Sequence, residues 1–409
     1  MIETDKPKAS ALDYPGFRFF WASRLLMVLA LQILSVSVGW QLYDQTRDPF
    51  LLGLVGLVQF LPALVLVLVT GSVADRFNRR RIMGASAMVE AICALALLAI
   101  LHSGAPIVWH VFAVLILLGI ARAFMGPAVQ SLYANLVPLE VLPSAIALNS
   151  SGFQLATIIG PALGGLLYGL SSEVAYATSA AFFIAAGIGT LFIPKPAQKT
   201  VPEPPSMQGL LAGFRYIWSQ PVVLGAMSLD LAAVLLGGAT ALLPVFARDI
   251  LEVGPWGLGM LRASTGVGAL LMSLWLFRNT IEDHVGLKMF AAVAIYGLAI
   301  VSFGMSKLVW LSIIALAIIG AADMVSVYIR QTLIQLKTPD AVRGRVSAVN
   351  LTFIGASNEV GEFRAGTMAA AFGAVPAVVI GGVVSILCAG LWMRWFPGLR
   401  RIDRFPEPE

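Results

Sequence analysis

The residues of this sequence that could do chemistry are charged side chains inside long apolar segments. Each such side chain costs about 2.5–3.5 kcal/mol at the centre of a membrane helix on insertion scales, so its retention needs a functional or structural reason. The candidates are Arg24, Glu90, Arg122, Asp230, Arg262, Asp323, Glu359, Glu362 and Arg364. The carboxyl groups among them point to proton transfer, because a carboxyl group in apolar surroundings tends to hold a proton.

Two of these carboxyl groups are close in the sequence. Glu359 and Glu362 are three residues apart in FIGASNEVGEFRAG and therefore share a helical face. Two carboxyl groups in a medium of low dielectric constant cannot easily both ionise. We expect Asp230, Asp323 and at least one of the two glutamates to carry protons, with Glu90 as the candidate if these four do not. The alternative is that Glu359 and Glu362 pair with arginines and only hold the protein together.

Other chemistries are not indicated. His102, His110 and His284 are scattered, and Cys93 and Cys388 lie in apolar segments, so neither a metal site nor a disulfide framework is expected. No nucleophile elbow or phosphate-binding loop occurs, which disfavours a membrane-embedded enzyme. The net charge of +5 is explained by membrane topology, and no nucleic-acid partner is expected.

Composition requires that these residues be positioned by membrane helices. The 409 residues are 58% hydrophobic and 12% charged, whereas a soluble domain carries about 25% charged residues. The apolar runs are longer than barrel strands and do not alternate, so an all-α membrane protein is predicted. Twelve transmembrane helices are expected at about 19–43, 51–73, 82–101, 107–134, 143–169, 174–193, 222–246, 255–277, 286–306, 309–335, 343–372 and 376–396.

Charge in the connections predicts the orientation of the chain. Most lysines and arginines fall on one side of the predicted spans, and the other side carries only Arg47, Arg248 and Lys307. The positive-inside rule therefore places both termini in the cytoplasm. A linker rich in proline and charge divides the chain into six-helix halves at 1–194 and 222–409. The linker, 195–221, is expected to end in a short amphipathic helix on the cytoplasmic membrane surface. The alternative is that this segment is only the start of the seventh span.

The two halves resemble each other. GFRFFW at 16–21 is matched by GFRYIW at 213–218, and an offset of 201 residues aligns Gln130 with Gln331 and Asn149 with Asn350. Six spans separate the copies, so the repeat is parallel. The same offset aligns Arg122 with Asp323, and we expect this pair to close a gate on the cytoplasmic side. The alternative is that each of the two charges pairs within its own half.

The loop GSVADRFNRRR, 71–81, resembles the signature loop of the major facilitator superfamily, with asparagine at 78 where that family usually has glycine. The matching residues are Gly71, Asp75, Arg76, Arg79, Arg80 and Arg81. The resemblance implies the major facilitator fold, an acidic residue facing the start of the eleventh span, and arginines that latch the halves together. It also implies that Arg24, Arg122, Asp230 and Asp323 lie on helices lining the cavity, although snorkelling to the interface also explains Arg24.

A second motif, GPALGG in the fifth span, resembles the antiporter motif of drug and proton exchangers. Its residues are Gly160, Pro161, Gly164 and Gly165. The tracts LLAGFRYIWSQPVV and QTLIQLKTPDAVRGRVSAVN are similar to the enterobactin-exporter group of the same superfamily. These resemblances imply an exporter in the bacterial inner membrane that moves a drug or siderophore and uses the proton gradient. We expect it to be a monomer and to need no cofactor. A lysophospholipid flippase, an importer and a non-transporting sensor are the alternatives.

Overall fold

The protein is described by a computed structural model, which covers residues 10–103, 107–195 and 207–405. Within those ranges the chain forms helices and connecting segments without a strand. The helices are α1 (Pro15–Thr46), α2 (Pro49–Arg76), α3 (Arg79–His102), α4 (Ile107–Tyr133), α5 (Leu142–Leu170), α6 (Ser172–Leu191), α7 (Met207–Ser219), α8 (Pro221–Gly237), α9 (Leu243–Val245), α10 (Gly254–Arg278), α11 (Val285–Met305), α12 (Val309–Lys337), α13 (Asp340–Phe372), α14 (Ala374–Trp395) and α15 (Pro397–Arg400).

The predicted all-helical membrane fold is confirmed. Among the described residues, 11 helical segments are long and apolar enough to cross a membrane. The 33-residue helix α13 has the length but is interrupted by charge, since it carries Glu359, Glu362 and Arg364. That α13 also crosses the membrane, as the eleventh of twelve spans in two six-helix halves, stays a prediction.

The predicted seventh span, 222–246, is not one continuous helix. α8 ends at Gly237, and the chain then passes through a 3-10 turn, the short helix α9 and a π-helical turn, Phe246–Ile250. Two adjacent glycines, Gly237 and Gly238, end the helix, and Pro244 cannot donate a helical hydrogen bond. Gly237 also lies directly against Ser385 of α14, so that a Cβ there would collide.

The amphipathic segment before this span is a separate helix, α7. It is cut off from α8 because Gln220 is extended and Pro221 opens the next helix. Ile217 is buried, whereas Leu211 and Trp218 are 59% and 66% exposed. An exposed apolar face of this kind suits a helix that lies at a membrane surface.

The described residues form two compact units. One is made of 10–38, 58–103 and 107–195, and the other of 39–57 and 207–405. In the first unit, α3 packs against α4 and α6. α5 packs against α1 through small residues: a Cβ on Gly164 would lie 3.0 Å from the Cα of Ile33. Small residues allow this close approach of membrane helices.

The second unit is built around α11, α12 and α14, with α8, α10 and α13 packed on them. The end of α1 and the start of α2 belong to this unit, although the sequence-based division places them in the first half. A Cβ on Gly53 of α2 would lie 3.0 Å from the Cα of Gly366 in α13. This contact between two glycines sets residues 49–57 against the helix that carries the paired glutamates.

Candidate functional site

An ion pair buried between α8 and α12 forms the centre of the candidate site. Arg330 Nη1 lies 2.9 Å from Asp230 Oδ2, and the two side chains are 4% and 8% exposed. Ser326 Oγ donates to Asp230 Oδ1 at 3.3 Å, and Arg330 Nη1 donates to Asn350 Oδ1 of α13 at 3.5 Å. These bonds join three helices. A buried ion pair needs such additional hydrogen bonds if it is to offset the cost of desolvation.

Arg330 is absent from the candidates drawn from the sequence. It lies near the end of the predicted tenth span, seven residues after Asp323 and four after Ser326. Residues at those intervals share a helical face. This spacing from Asp323 is the signal that could have identified it.

Asp323 lies beside the ion pair, across a cavity the size of one water molecule. The cavity has a volume of about 10 Å³ and is lined by Asp230, Asp323, Ser326 and Tyr296. A polar cavity of this volume has room for about one water. Two carboxyl groups that line such a space can be linked through one water molecule.

The paired glutamates of α13 lie against α2 within the second unit. Glu359 and Glu362 both face Gly56, where a Cβ would collide with Glu359 and lie 3.1 Å from Glu362 Oε2. Glu359 and Arg262 of α10 are the charged groups that act on Glu362. Arg262 Nε is buried and has no hydrogen-bond partner among the described residues. Both sequence interpretations, a proton carrier and a partner for an arginine, are compatible with this arrangement.

In the first unit, charged side chains from three helices gather around Glu90. This side chain is 1% exposed, and the charged groups that act on it are Arg122 and Arg24. Arg24 lies over the ring of Phe153, 5.7 Å from its centroid, and Arg122 Nη1 donates to Gln59 Oε1 at 3.2 Å. The cluster combines two arginines with an aromatic ring, a set that can hold an acidic aromatic group.

The arginines of the signature loop make bonds within the first unit. Arg80 Nη1 donates to the carbonyl of Ile193 at 2.6 Å, at the end of α6, and Arg79 Nε donates to the carbonyl of Ala74 at 3.2 Å. Asn78 caps α3 by accepting from the Arg80 backbone N–H at 3.0 Å, and its φ is −66°. Asparagine therefore stands here as a helix cap and not as a left-handed residue.

Parts of the signature-loop hypothesis fall outside the described residues. The side chains of Asp75, Asp340 and Ala341 lie outside the described part of the structure. The contact of Asp75 with the start of the eleventh span therefore stays a prediction. Arg122 belongs to the first unit and Asp323 to the second, and their pairing as a gate also stays a prediction.

The residues of the predicted antiporter motif are buried in α5. They are Gly160, Pro161, Gly164 and Gly165. A Cβ on Gly160 would lie 2.5 Å from the Cβ of Gln32 in α1, so the glycine permits the approach of the two helices. The small residues of the motif thus give α5 a flat face for close helix packing.

A further polar cluster, which the sequence did not predict, joins α1 to the π-helical turn. Asp249 accepts a hydrogen bond from Tyr43 Oη and pairs with Arg47 Nη1 at 2.8 Å. Arg248 pairs with Asp44. These residues lie in the second unit and fasten the end of α1 to the segment after α8.

Comparison with known proteins gives a family match over nearly the whole chain. The family model described as transmembrane secretion effector, MFS_3, matches residues 8–404. The enterobactin exporter EntS of Citrobacter koseri is 26% identical over 407 residues, which cover 97% of this chain and 95% of that protein. The protein of the same name from Shigella boydii serotype 4 is 27% identical over 345 residues, covering 82% of this chain and 81% of the relative.

Solved transporter structures share the fold. A bacterial homolog of the human lysosomal transporter Spinster, in an inward-facing and occupied conformation, superposes with a TM-score of 0.75 at 14% identity, covering 94% of this chain and 97% of that one. The D-xylose–proton symporter superposes with a TM-score of 0.70 at 15% identity, covering 94% and 98%.

Proposed function

The chain belongs to the transmembrane secretion effectors of the major facilitator superfamily, and from this premise we propose that it exports a small amphipathic molecule in exchange for protons. It is a membrane transporter, and the prediction of a transporter rather than an enzyme is confirmed by the family match. The export direction, the coupling to protons and alternating access between two halves are the steps that the proposal adds.

The observation that carries the proposal is the group of Asp230, Asp323 and Arg330. An exchanger that uses protons needs carboxyl groups that bind a proton in one state and release it in another. Two carboxyl groups share a small cavity on α8 and α12, and one of them is held by a buried arginine. Movement of Arg330 away from Asp230 would change the affinity of Asp230 for a proton.

Siderophore-type and drug-type molecules are the substrates we propose. The relatives are named as enterobactin exporters, and the cluster of Arg24 and Arg122 beside Phe153 offers cations and an aromatic face in the first unit. Acidic aromatic molecules such as catecholates match that set. We place the protein as a monomer in the bacterial inner membrane with both termini in the cytoplasm, where the lipid bilayer, protons and the substrate are its partners.

Transport into inside-out membrane vesicles tests the function. Vesicles with an imposed pH gradient are supplied with enterobactin, with a fluorescent dye and with an antibiotic, and accumulation is measured before and after a protonophore. We expect at least one compound to accumulate and the protonophore to release it. Proton-driven export is contradicted if no compound accumulates above the level in vesicles that lack the protein. It is also contradicted if the protonophore leaves the accumulation unchanged.

A further inference from the structure

An apolar cavity lies in the second unit, under helix α7 and beside the buried ion pair. Its volume is about 350 Å³, within the range of small-molecule sites. Three aromatic side chains, Phe214, Trp218 and Phe353, line it, and Asp230 and Arg330 are its charged lining residues. A ligand here would meet a large apolar wall and one polar end.

At the polar end of the cavity, more hydrogen-bond donors than acceptors are left for a ligand. Both oxygens of Asp230 are already used, by Arg330 and by Ser326. Arg330 has five N–H donors, and its bonds to Asp230 and Asn350 both use Nη1. Acceptors are therefore occupied while donors are left over, which favours a ligand whose polar group only accepts hydrogen bonds.

We propose that this cavity binds an acidic amphiphile, with its carboxylate or phosphate on Arg330 and its apolar chain against the three aromatic side chains. A guanidinium group is the side chain best suited to such anions, because it presents parallel donors in one plane. The cavity is formed by α7, α8, α12 and α13 within the second unit.

The wall of the cavity that α7 forms is partly exposed at the surface of the protein. Phe214 and Trp218 are 42% and 66% exposed on α7, so the same aromatic side chains contact both the cavity and the surroundings of the helix. The site shares Asp230 and Arg330 with the proposed function, but ligand binding in the second unit can be measured without export and without a proton gradient.

Photolabelling of the full chain with two matched probes tests the site. Diazirine-bearing dodecanoic acid and the corresponding dodecanol are each added to the purified protein in phosphatidylcholine nanodiscs, and the labelled peptides are identified by mass spectrometry. We expect dodecanoic acid to label peptides that carry Phe214 or Phe353. Dodecanoic acid that labels neither peptide overturns the proposal.

Charge recognition is tested with the double variant Asp230→Asn with Arg330→Gln, which removes both charges together and leaves neither buried alone. We expect the concentration of dodecanoic acid that gives half-maximal labelling to rise about tenfold or more, because the variant removes hydrogen bonds to a charged group. Labelling by dodecanol should stay the same. An unchanged preference for the acid in this variant overturns the role of Arg330.

Occupancy of the cavity is tested without touching the ion pair. Ile354→Trp places a larger side chain in the cavity and should abolish labelling by both probes. Leu351→Trp is the matched control, because Leu351 lies on the same helix, is 57% exposed and is not a cavity residue. Equal labelling of the Ile354→Trp and Leu351→Trp proteins contradicts the site.

The source of the acidic group is decided by adding phosphatidylglycerol to the nanodiscs. A decrease in dodecanoic acid labelling that occurs in the natural protein and not in the double variant identifies a lipid headgroup as the occupant. Labelling that phosphatidylglycerol leaves unchanged assigns the site to free acidic amphiphiles. Both outcomes retain an acidic ligand on Arg330.

Discussion

Arg330 of α12 and Asp230 of α8 are paired at 2.9 Å, and both side chains are more than nine-tenths buried. The pair lies between the water-sized cavity with Asp323 and the larger cavity under α7. At this distance a change in the charge of Asp230 alters the electrostatic field at Arg330, and an anion beside Arg330 would alter the field at Asp230. This relationship puts the pair between the proposed proton site and the proposed ligand site.

Loss of one partner of this pair should destabilise the protein far more than loss of both. Asp230→Asn or Arg330→Gln alone leaves a buried charge and should cost about 3–5 kcal/mol, whereas the double variant should cost little. The measurement is the midpoint of thermal unfolding of each purified protein in detergent.

The matched control is the exposed pair of Arg404 and Asp283, whose side chains are 78% and 52% exposed. Arg404→Gln should change the midpoint very little, since exposed pairs contribute at most about 1 kcal/mol. A double variant of the buried pair that is as unstable as the worse single variant argues against their mutual compensation.

Neutralisation of Asp323 should uncouple transport from protons. Asp323→Asn removes a carboxyl group from the cavity that it shares with Asp230, so proton-driven accumulation should be lost while exchange of substrate for substrate continues. Both rates are measured in the same vesicle preparation. Asp283→Asn, an exposed carboxylate outside the spans, is the control. Full proton-driven transport by Asp323→Asn would leave Asp230, Glu359 and Glu362 as the candidates, and Glu90 would follow only if those three also proved dispensable.

Much of the helical fold follows from the sequence, because apolar runs of this length have few alternatives in a membrane. The break after Gly237 is harder to predict, since glycine pairs are also tolerated inside membrane helices. The Asp230–Arg330 pair depends on which faces of α8 and α12 meet, and sequence spacing gives only the face within each helix. The cluster of Tyr43, Arg47 and Asp249 depends on contacts between residues far apart in the sequence.

Alanine at Gly56 should disturb the paired glutamates without changing any charge. Its Cβ would collide with the carboxyl group of Glu359 and press on that of Glu362, so proton-driven transport should fall. Gly126→Ala is the matched control, because a Cβ there meets nothing within 4 Å and alanine favours a helix interior by about 0.5–1 kcal/mol. Equal transport rates for Gly56→Ala and Gly126→Ala would show that the position of these glutamates is not important for coupling.

Exchange of the two charges that the repeat aligns, Arg122 and Asp323, decides between two hypotheses. The sequence repeat predicts that they pair when the cytoplasmic side closes, in which case Arg122→Asp with Asp323→Arg should recover part of the transport lost in each single variant. The structure gives each residue polar neighbours in its own unit: Arg122 donates to Gln59 at 3.2 Å, and Asp323 shares a cavity with Asp230. In the exchanged protein an aspartate would face the Gln59 carbonyl oxygen and an arginine would enter the space beside Arg330, so both local environments would be lost. We therefore expect the exchanged protein to transport no faster than the slower single variant. Transport rates in vesicles that contain equal amounts of each protein give the answer, and recovery in the exchanged protein would establish the gate instead.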